Sequence, residues 1–196
     1  MADLRVHGGC TTLALRRAFA AAVFARTAAY DGAIAAWMRQ AGMAGDAAAG
    51  GPEAGAGFPQ ELVLRLRLAD ELRYGENPHQ RGAVYADPGS REPSVVNAKL
   101  LHGKPLSYNN LLDAAAALEL VQDLAEQHPG GTACAVIKHT NPCGAATAPT
   151  VLGAFERAWA GDPLAAFGGI VAFSGTVDAA TAEAMAAGER FLEVVV

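Results

Sequence analysis

The sequence predicts an α/β fold. Three observations predict it. Runs with strand-like alternation or continuous apolar character recur from residue 62 to residue 196. Stretches with apolar residues at helical spacing separate them. Gly, Pro and Asn sit at the joins, where the chain must turn. Strands that alternate with helices build sheets covered by helices.

Each element has its own local reason. Residues 11–38 read as one long helix, capped by Thr11 or Thr12. Leu15, Phe19, Val23, Tyr30, Ile34 and Trp37 recur there at helical spacing, and Gly32 is a mild flaw. Residues 41–59 carry Gly42, Gly45, Gly50, Gly51, Pro52, Gly55 and Gly57 without periodicity, which marks a linker. One helix cannot bury its own apolar stripe. Residues 1–40 are therefore expected to be the tail of one domain, or an arm docked on the next. Residues 60–196 are expected to belong to a second domain. There, Leu62, Leu64, Leu66 and Leu68 alternate with Val63, Arg65 and Arg67 as a strand, and Gly82–Ala86 follows as another. Asn109 or Asn110 caps a helix through Leu112, Ala115, Leu118, Val121 and Leu124, stopped by Pro129-Gly130. Residues 132–137 form a short apolar run that suits a buried parallel strand. Residues 150–160 predict a helix, Gly169–Phe173 a strand, residues 178–189 a helix and residues 192–196 a strand. No turn or cap follows the closing β-branched run, so the sequence is expected to be a fragment.

Composition narrows the function classes. The chain has 196 residues, of which 52% are hydrophobic and 18% charged, enough for a packed core and unlike a disordered segment. Its net charge of −5 argues against a general nucleic-acid binder, whose footprint is basic. No apolar run approaches the roughly 20 residues of a membrane span. The first eight residues include Asp3, Arg5 and His7 and no apolar segment of a signal peptide, so a cytoplasmic protein is expected. Cys10, Cys134 and Cys143 are too few for a disulfide framework and are expected as free thiols.

Four stretches could carry chemistry. Residues 137–144 (IKHTNPCG) leave the apolar run of residues 132–137. In open α/β sheets ligands gather beyond the carboxyl ends of strands. Lys138 offers a fixed cation there, and His139 a base suited to proton transfer near neutral pH. Asn141-Pro142 and Gly144 suggest a sharp turn, with the backbone amides after it free to face a ligand. The same residues also fit a solvated strand end and an ordinary turn histidine. A deaminase-type zinc site is excluded by sequence: Cys143 lacks its P-C-x-x-C partner and no His-x-Glu occurs. Residues 73–80 (RYGENPHQ) place Arg73, a bidentate phosphate donor, beside Tyr74, which can stack on a heterocycle. Taken alone, these residues are better explained as an ordinary surface turn. Residues 101–112 (LHGKPLSYNNLL) lead into a helix, with the asparagines read as caps. Residues 162–172 (DPLAAFGGIVA) put Gly168-Gly169 before a strand, where a ligand can approach the backbone closely. The latter is neither a P-loop nor a G-x-G-x-x-G loop.

Taken together and in order, these four motifs closely resemble the bifunctional purine-biosynthesis family PurH, which joins an AICAR formyltransferase to an IMP cyclohydrolase. The resemblance runs from about Gly9 to the last residue. It implies that the first helix closes the cyclohydrolase domain. Residues 60–196 would then open a formyltransferase domain, whose family fold is cytidine-deaminase-like, three-layered and zinc-free. It implies formyl transfer from the cosubstrate 10-formyltetrahydrofolate to AICAR, giving FAICAR, with ring closure to IMP elsewhere in the parent. His139 matches the family's catalytic histidine and Lys138 its transition-state stabiliser. Arg73, Tyr74 and Gly168 match substrate-binding positions. The family often has Ser where this chain has Ala165. The resemblance implies a homodimeric parent, while charge and the lack of a long apolar run lead to the expectation of no nucleic-acid or membrane partner. The alternative is a chain that binds nucleotide weakly, or is inert, when taken alone.

Overall fold

The computed structural model describes residues 2–41 and 63–196, which fall into two units, Met1–Val63 and Leu64–Val196. The expected linker at residues 41–59 lies outside the described residues, apart from Ala41. In the first unit a short helix α1 (Ala2–Val6) precedes the long helix α2 (Leu13–Gln40). Thr12 is the cap: its side chain accepts the Leu15 N–H at 3.1 Å. The apolar residues Phe19, Val23, Tyr30 and Trp37 are all exposed on α2.

In the second unit, β1 (Arg67–Leu72) and β2 (Gly82–Ala86) form an antiparallel pair. Leu64 and Leu66, expected in the first strand, lie before it and are exposed. Next comes α3 (Tyr108–Gln127), then β3 (Thr132–Lys138), β4 (Asn141–Ala148), α4 (Val151–Trp159), a single turn α5 (Pro163–Ala166), β5 (Gly169–Phe173), α6 (Ala179–Ala186) and β6 (Leu192–Val195). The second sheet has the order β4-β3-β5-β6. It is mixed: β3 runs antiparallel to both neighbours, and β5 and β6 run parallel.

That topology corrects the expectation of a parallel β3. The run is wholly apolar because both of its faces are buried. Cys134 and Val136 join Val171 and Phe173 against Phe155, Ala158 and Trp159 of α4. Ala133, Ala135 and Ile137 join Ile170 and Ala172 against Ala114, Ala117 and Val121 of α3. Period-2 alternation thus divides one strand between two cores. Two-sided burial, and not parallel pairing, produces the unbroken apolar run. The fold class, α/β with helices on both faces of a sheet, is as the sequence predicts.

A second correction concerns residues 141–148. Asn141, Pro142 and Gly144 suggested a turn; they lie in strand β4. Proline is tolerated because β4 is an edge strand, and Pro142 sits beside the register shift between Val136 and Ile137. The turn itself is the two residues His139 and Thr140, which join β3 to β4 as a hairpin.

Candidate functional site

The motifs meet because short hydrogen bonds join each to another. The cap of α3 is Ser107, not Asn109 or Asn110: its Oγ accepts the Asn110 N–H at 3.3 Å, and the Asn110 Oδ1 accepts the Ser107 N–H at 3.2 Å. This reciprocal cap fixes the Asn110 amide. Its Oδ1 also accepts from Arg73 Nη2 at 3.4 Å, and its Nδ2 donates to Glu193 Oε2 at 2.8 Å. Asn109 Nδ2 donates to the Glu76 carbonyl at 3.2 Å. The start of α3 therefore holds the loop after β1 and touches β6. The Arg73 guanidinium lies over the Tyr74 ring, 5.4 Å from its centre.

On the other side, Lys138 ends β3 and sends Nζ to the Phe167 carbonyl at 3.0 Å. Gly168 has φ +75°, which favours glycine, and its N–H donates to the Phe191 carbonyl at 2.8 Å. Gly169, beside it, is close-packed: a Cβ there would come within 3.0 Å of the Ala166 and Ile137 carbonyl oxygens. Packing, not a ligand, accounts for that second glycine. The Asp113 carboxylate accepts the His139 N–H at 3.1 Å and the Thr140 N–H at 2.7 Å. The amides of the two-residue turn thus face a carboxylate of α3.

These links enclose a cleft of about 1020 Å³. All five residues singled out from sequence line it: Arg73, Tyr74, Lys138, His139 and Gly168. Its cations are Arg73, Lys104 and Lys138, and its carboxylates are Glu76, Asp113 and Glu193. Among the described residues, the hydrogen bonds at His139 all involve its backbone, which leaves the imidazole available to a ligand. The cleft thus presents cations and carboxylates in equal number, a polar lining that can hold a polar small molecule. Burial pushes the Cys143 thiol up, partly opposed by the Lys138 cation. Among the described residues, no group of three or more His, Cys, Asp or Glu side chains is placed to hold a metal ion. No described helix is long and apolar enough to cross a membrane.

Sequence reasoning did not single out Asp113 or Glu193, and it did not see the full role of Asn110 or Lys104, all of which line the cleft. Asp113 looked like one polar position on a helix. Asn110 looked like a cap, and its second role depends on a contact with Glu193, 83 residues away. Glu193 lay unremarked within the closing run read as a strand. Lys104 was visible only within the motif of residues 101–112, with no partner pattern to distinguish it from a solvated side chain.

The model of the AICARFT/IMPCHase bienzyme family matches residues 1–196. The chain is 47% identical over 195 residues to the bifunctional purine biosynthesis protein PurH of Cereibacter sphaeroides (strain ATCC 17025), covering 99% of this chain and 34% of that protein. It is 46% identical over 194 residues to PurH of Rhodopirellula baltica, with the same coverage of 99% and 34%. It is 48% identical over 173 residues to PurH of Acidithiobacillus ferrooxidans, covering 88% of this chain and 30% of that protein. The chain thus spans about a third of the length of these curated relatives.

Proposed function

This chain belongs to the AICARFT/IMPCHase bienzyme family, and on that premise we propose that its cleft is part of an AICAR formyl-transfer site. One observation carries the reading. Three motifs far apart in sequence bring Arg73, Tyr74, Lys138, His139 and Gly168 to one cleft, and the fourth, residues 101–112, adds Lys104, Ser107 and Asn110 to its lining. The substrate is an anionic nucleotide with a flat imidazole, and 10-formyltetrahydrofolate is the cosubstrate. Arg73 binds the anionic part and Tyr74 packs on a ring. Gly168 leaves space for close approach.

The AICAR amine is delocalised into its ring and attacks poorly. As its nitrogen bonds to the formyl carbon, the carbonyl oxygen takes up negative charge. His139 removes the amine proton and returns it to the folate N10, whose bond to the formyl carbon breaks. The products are FAICAR and tetrahydrofolate. Proton transfer of this kind typically contributes ~10²–10⁴-fold. Lys138 stabilises the oxyanion, a contribution of roughly 3 kcal/mol in a dry site. Its ammonium must release or share the Phe167 carbonyl to do so, a short movement of a flexible side chain. No residue of this chain is assigned to ring closure. The first helix is read as the end of a cyclohydrolase domain, and residues 60–196 as the opening of a formyltransferase domain. That domain is read as cytidine-deaminase-like and zinc-free, and the whole protein as a cytoplasmic homodimer.

The test is His139→Ala in the full-length protein, assayed for AICAR-dependent release of tetrahydrofolate. A fall of at least ~10²-fold in kcat is expected. Near-normal turnover overturns the assignment. Because the chain spans about a third of its relatives, a second reading applies to these 196 residues alone: weak nucleotide binding without turnover. Calorimetry with AICAR supports it if heat appears without product, and rejects it if no heat appears.

A further inference from the structure

The turn that carries His139 is unusual in its own right. His139 has φ +53° and Thr140 has φ +61°. Among the described residues these are the only two non-glycine residues with positive φ. A two-residue hairpin loop with both residues in this region strongly prefers Asn-Gly or Gly-Gly. A β-branched threonine there is an outlier. Strain of this kind persists only where surrounding structure over-determines it.

We infer that Asp113 is the positioning residue that holds this strained turn, and with it His139, in the geometry the reaction needs. The inference rests on the formyl-transfer reading for the role of His139. Three features support it. First, both carboxylate oxygens are used: Oδ2 accepts from His139 N at 3.1 Å and Oδ1 from Thr140 N at 2.7 Å. A carboxylate accepting two amides is a charge-assisted pair that fixes orientation as well as distance. Second, Asp113 belongs to α3, whose next residue Ala114 is fully buried against the sheet. The clamp therefore stands on a rigid element. Third, the His139 carbonyl is held from the other side, accepting from Thr140 Oγ1 and from Asn141 Nδ2, each at 2.7 Å. Both ends of the His139 backbone are thus fixed while its side chain stays unpaired among the described residues.

A simpler hairpin would place His139 without such a clamp, but not in this conformation. If the carboxylate is lost, the turn relaxes toward negative φ and the imidazole swings away from the cleft. A displacement near 1 Å in a reacting group can cost ~10²-fold in rate. AICAR contacts made by Arg73 and Tyr74 are unaffected. The signature of positioning is therefore a loss in kcat at nearly constant KM.

The experiment is a double-mutant cycle in the full-length protein. Asp113→Asn is isosteric but keeps only one oxygen acceptor. Thr140→Gly removes the steric cost of positive φ. Asp113→Asn is expected to lower kcat by ~10²-fold with KM for AICAR changed less than ~3-fold. In the Thr140→Gly background the same change is expected to cost ~10-fold or less, because glycine adopts the turn unaided. Equal costs in both backgrounds overturn the inference, as does an unchanged kcat in Asp113→Asn. His139→Ala is run beside them. If it is active, the formyl-transfer reading itself fails; if it is inactive while Asp113→Asn is not, only the role of Asp113 fails. Hydrogen exchange on the wild-type protein gives a check that needs no variant to fold. The amides of His139 and Thr140, though in an exposed turn, are expected to be protected at least ~10-fold over an unbonded loop. Exchange at the unprotected rate contradicts the clamp.

Discussion

Gly144→Ala is the most demanding test of how the site is framed. Gly144 lies in β4 where that strand crosses the end of α4. A Cβ built on it would overlap the Ala158 carbonyl oxygen, with the Ala158 carbonyl carbon at 3.0 Å and Gly161 Cα at 3.4 Å. These are backbone atoms, so no rotamer change relieves the clash. Ala158 is fully buried and packs with Phe155 and Trp159 in one of the two cores. Relief must therefore shift α4 outward or pull β4 from β3. Overpacking in a well-packed core typically costs 1–3 kcal/mol. A rigid backbone obstacle places this change near the top of that range, about 3 kcal/mol. With a urea m-value of about 2 kcal/mol/M, the midpoint falls by roughly 1.5 M. Gly131→Ala is the control, because its nearest atoms, the Ala148 and His128 carbonyl oxygens, stand at 3.4 and 3.6 Å, ordinary contact distances. It is expected within ~0.5 kcal/mol of wild type. A Gly144→Ala midpoint equal to that of Gly131→Ala refutes the packing argument.

Two other outcomes follow from the core. Arg190 pairs with both Glu156 oxygens at 3.0 and 2.9 Å, donates to the Ala184 carbonyl at 2.8 Å, and stacks over Phe155 and Trp159 at 5.3 and 5.4 Å. Arg190→Ala is expected to lower stability by about 2 kcal/mol, and Arg190→Lys to recover less than half, since an ammonium lacks the planar fork; thermal melts decide it. Burial pushes the Cys134 thiol up to about 12 from an ordinary value of 9.0. Between those values the folded thiol keeps its proton and the unfolded one loses it, so stability falls as pH rises above 9.0. The slope from this group approaches ~1.4 kcal/mol per pH unit, and urea melts of Cys134→Ala at pH 8 and 10 are expected to show a shallower alkaline loss than wild type.

Local chemistry made some features legible and topology hid others. Gly82–Ala86 and Gly169–Phe173 were readable to the residue because each is bounded by turn formers and filled by strand formers. One of the two cap candidates before the long helix, Thr12, is the cap, because its side chain accepts from the first turn. The direction of β3 was hidden because burial on two faces looks the same in either orientation. Strand β4 was hidden because Asn, Pro and Gly advertise a turn unless the strand is known to be at an edge. The five lining residues were legible only as fragments of motifs, since nothing in their spacing says that they converge. Asp113 was silent for a further reason. Its partners are backbone amides, which leave no trace in the side-chain pattern.

The central claim is that four separated motifs form one nucleotide site. Hydrogen exchange on the full-length protein, with and without saturating AICAR, tests it most directly. Protection is expected at residues 73–77, 107–110, 138–140 and 168 together, with none gained along α2. Protection confined to one of those segments, or gained elsewhere while they stay unchanged, contradicts the account.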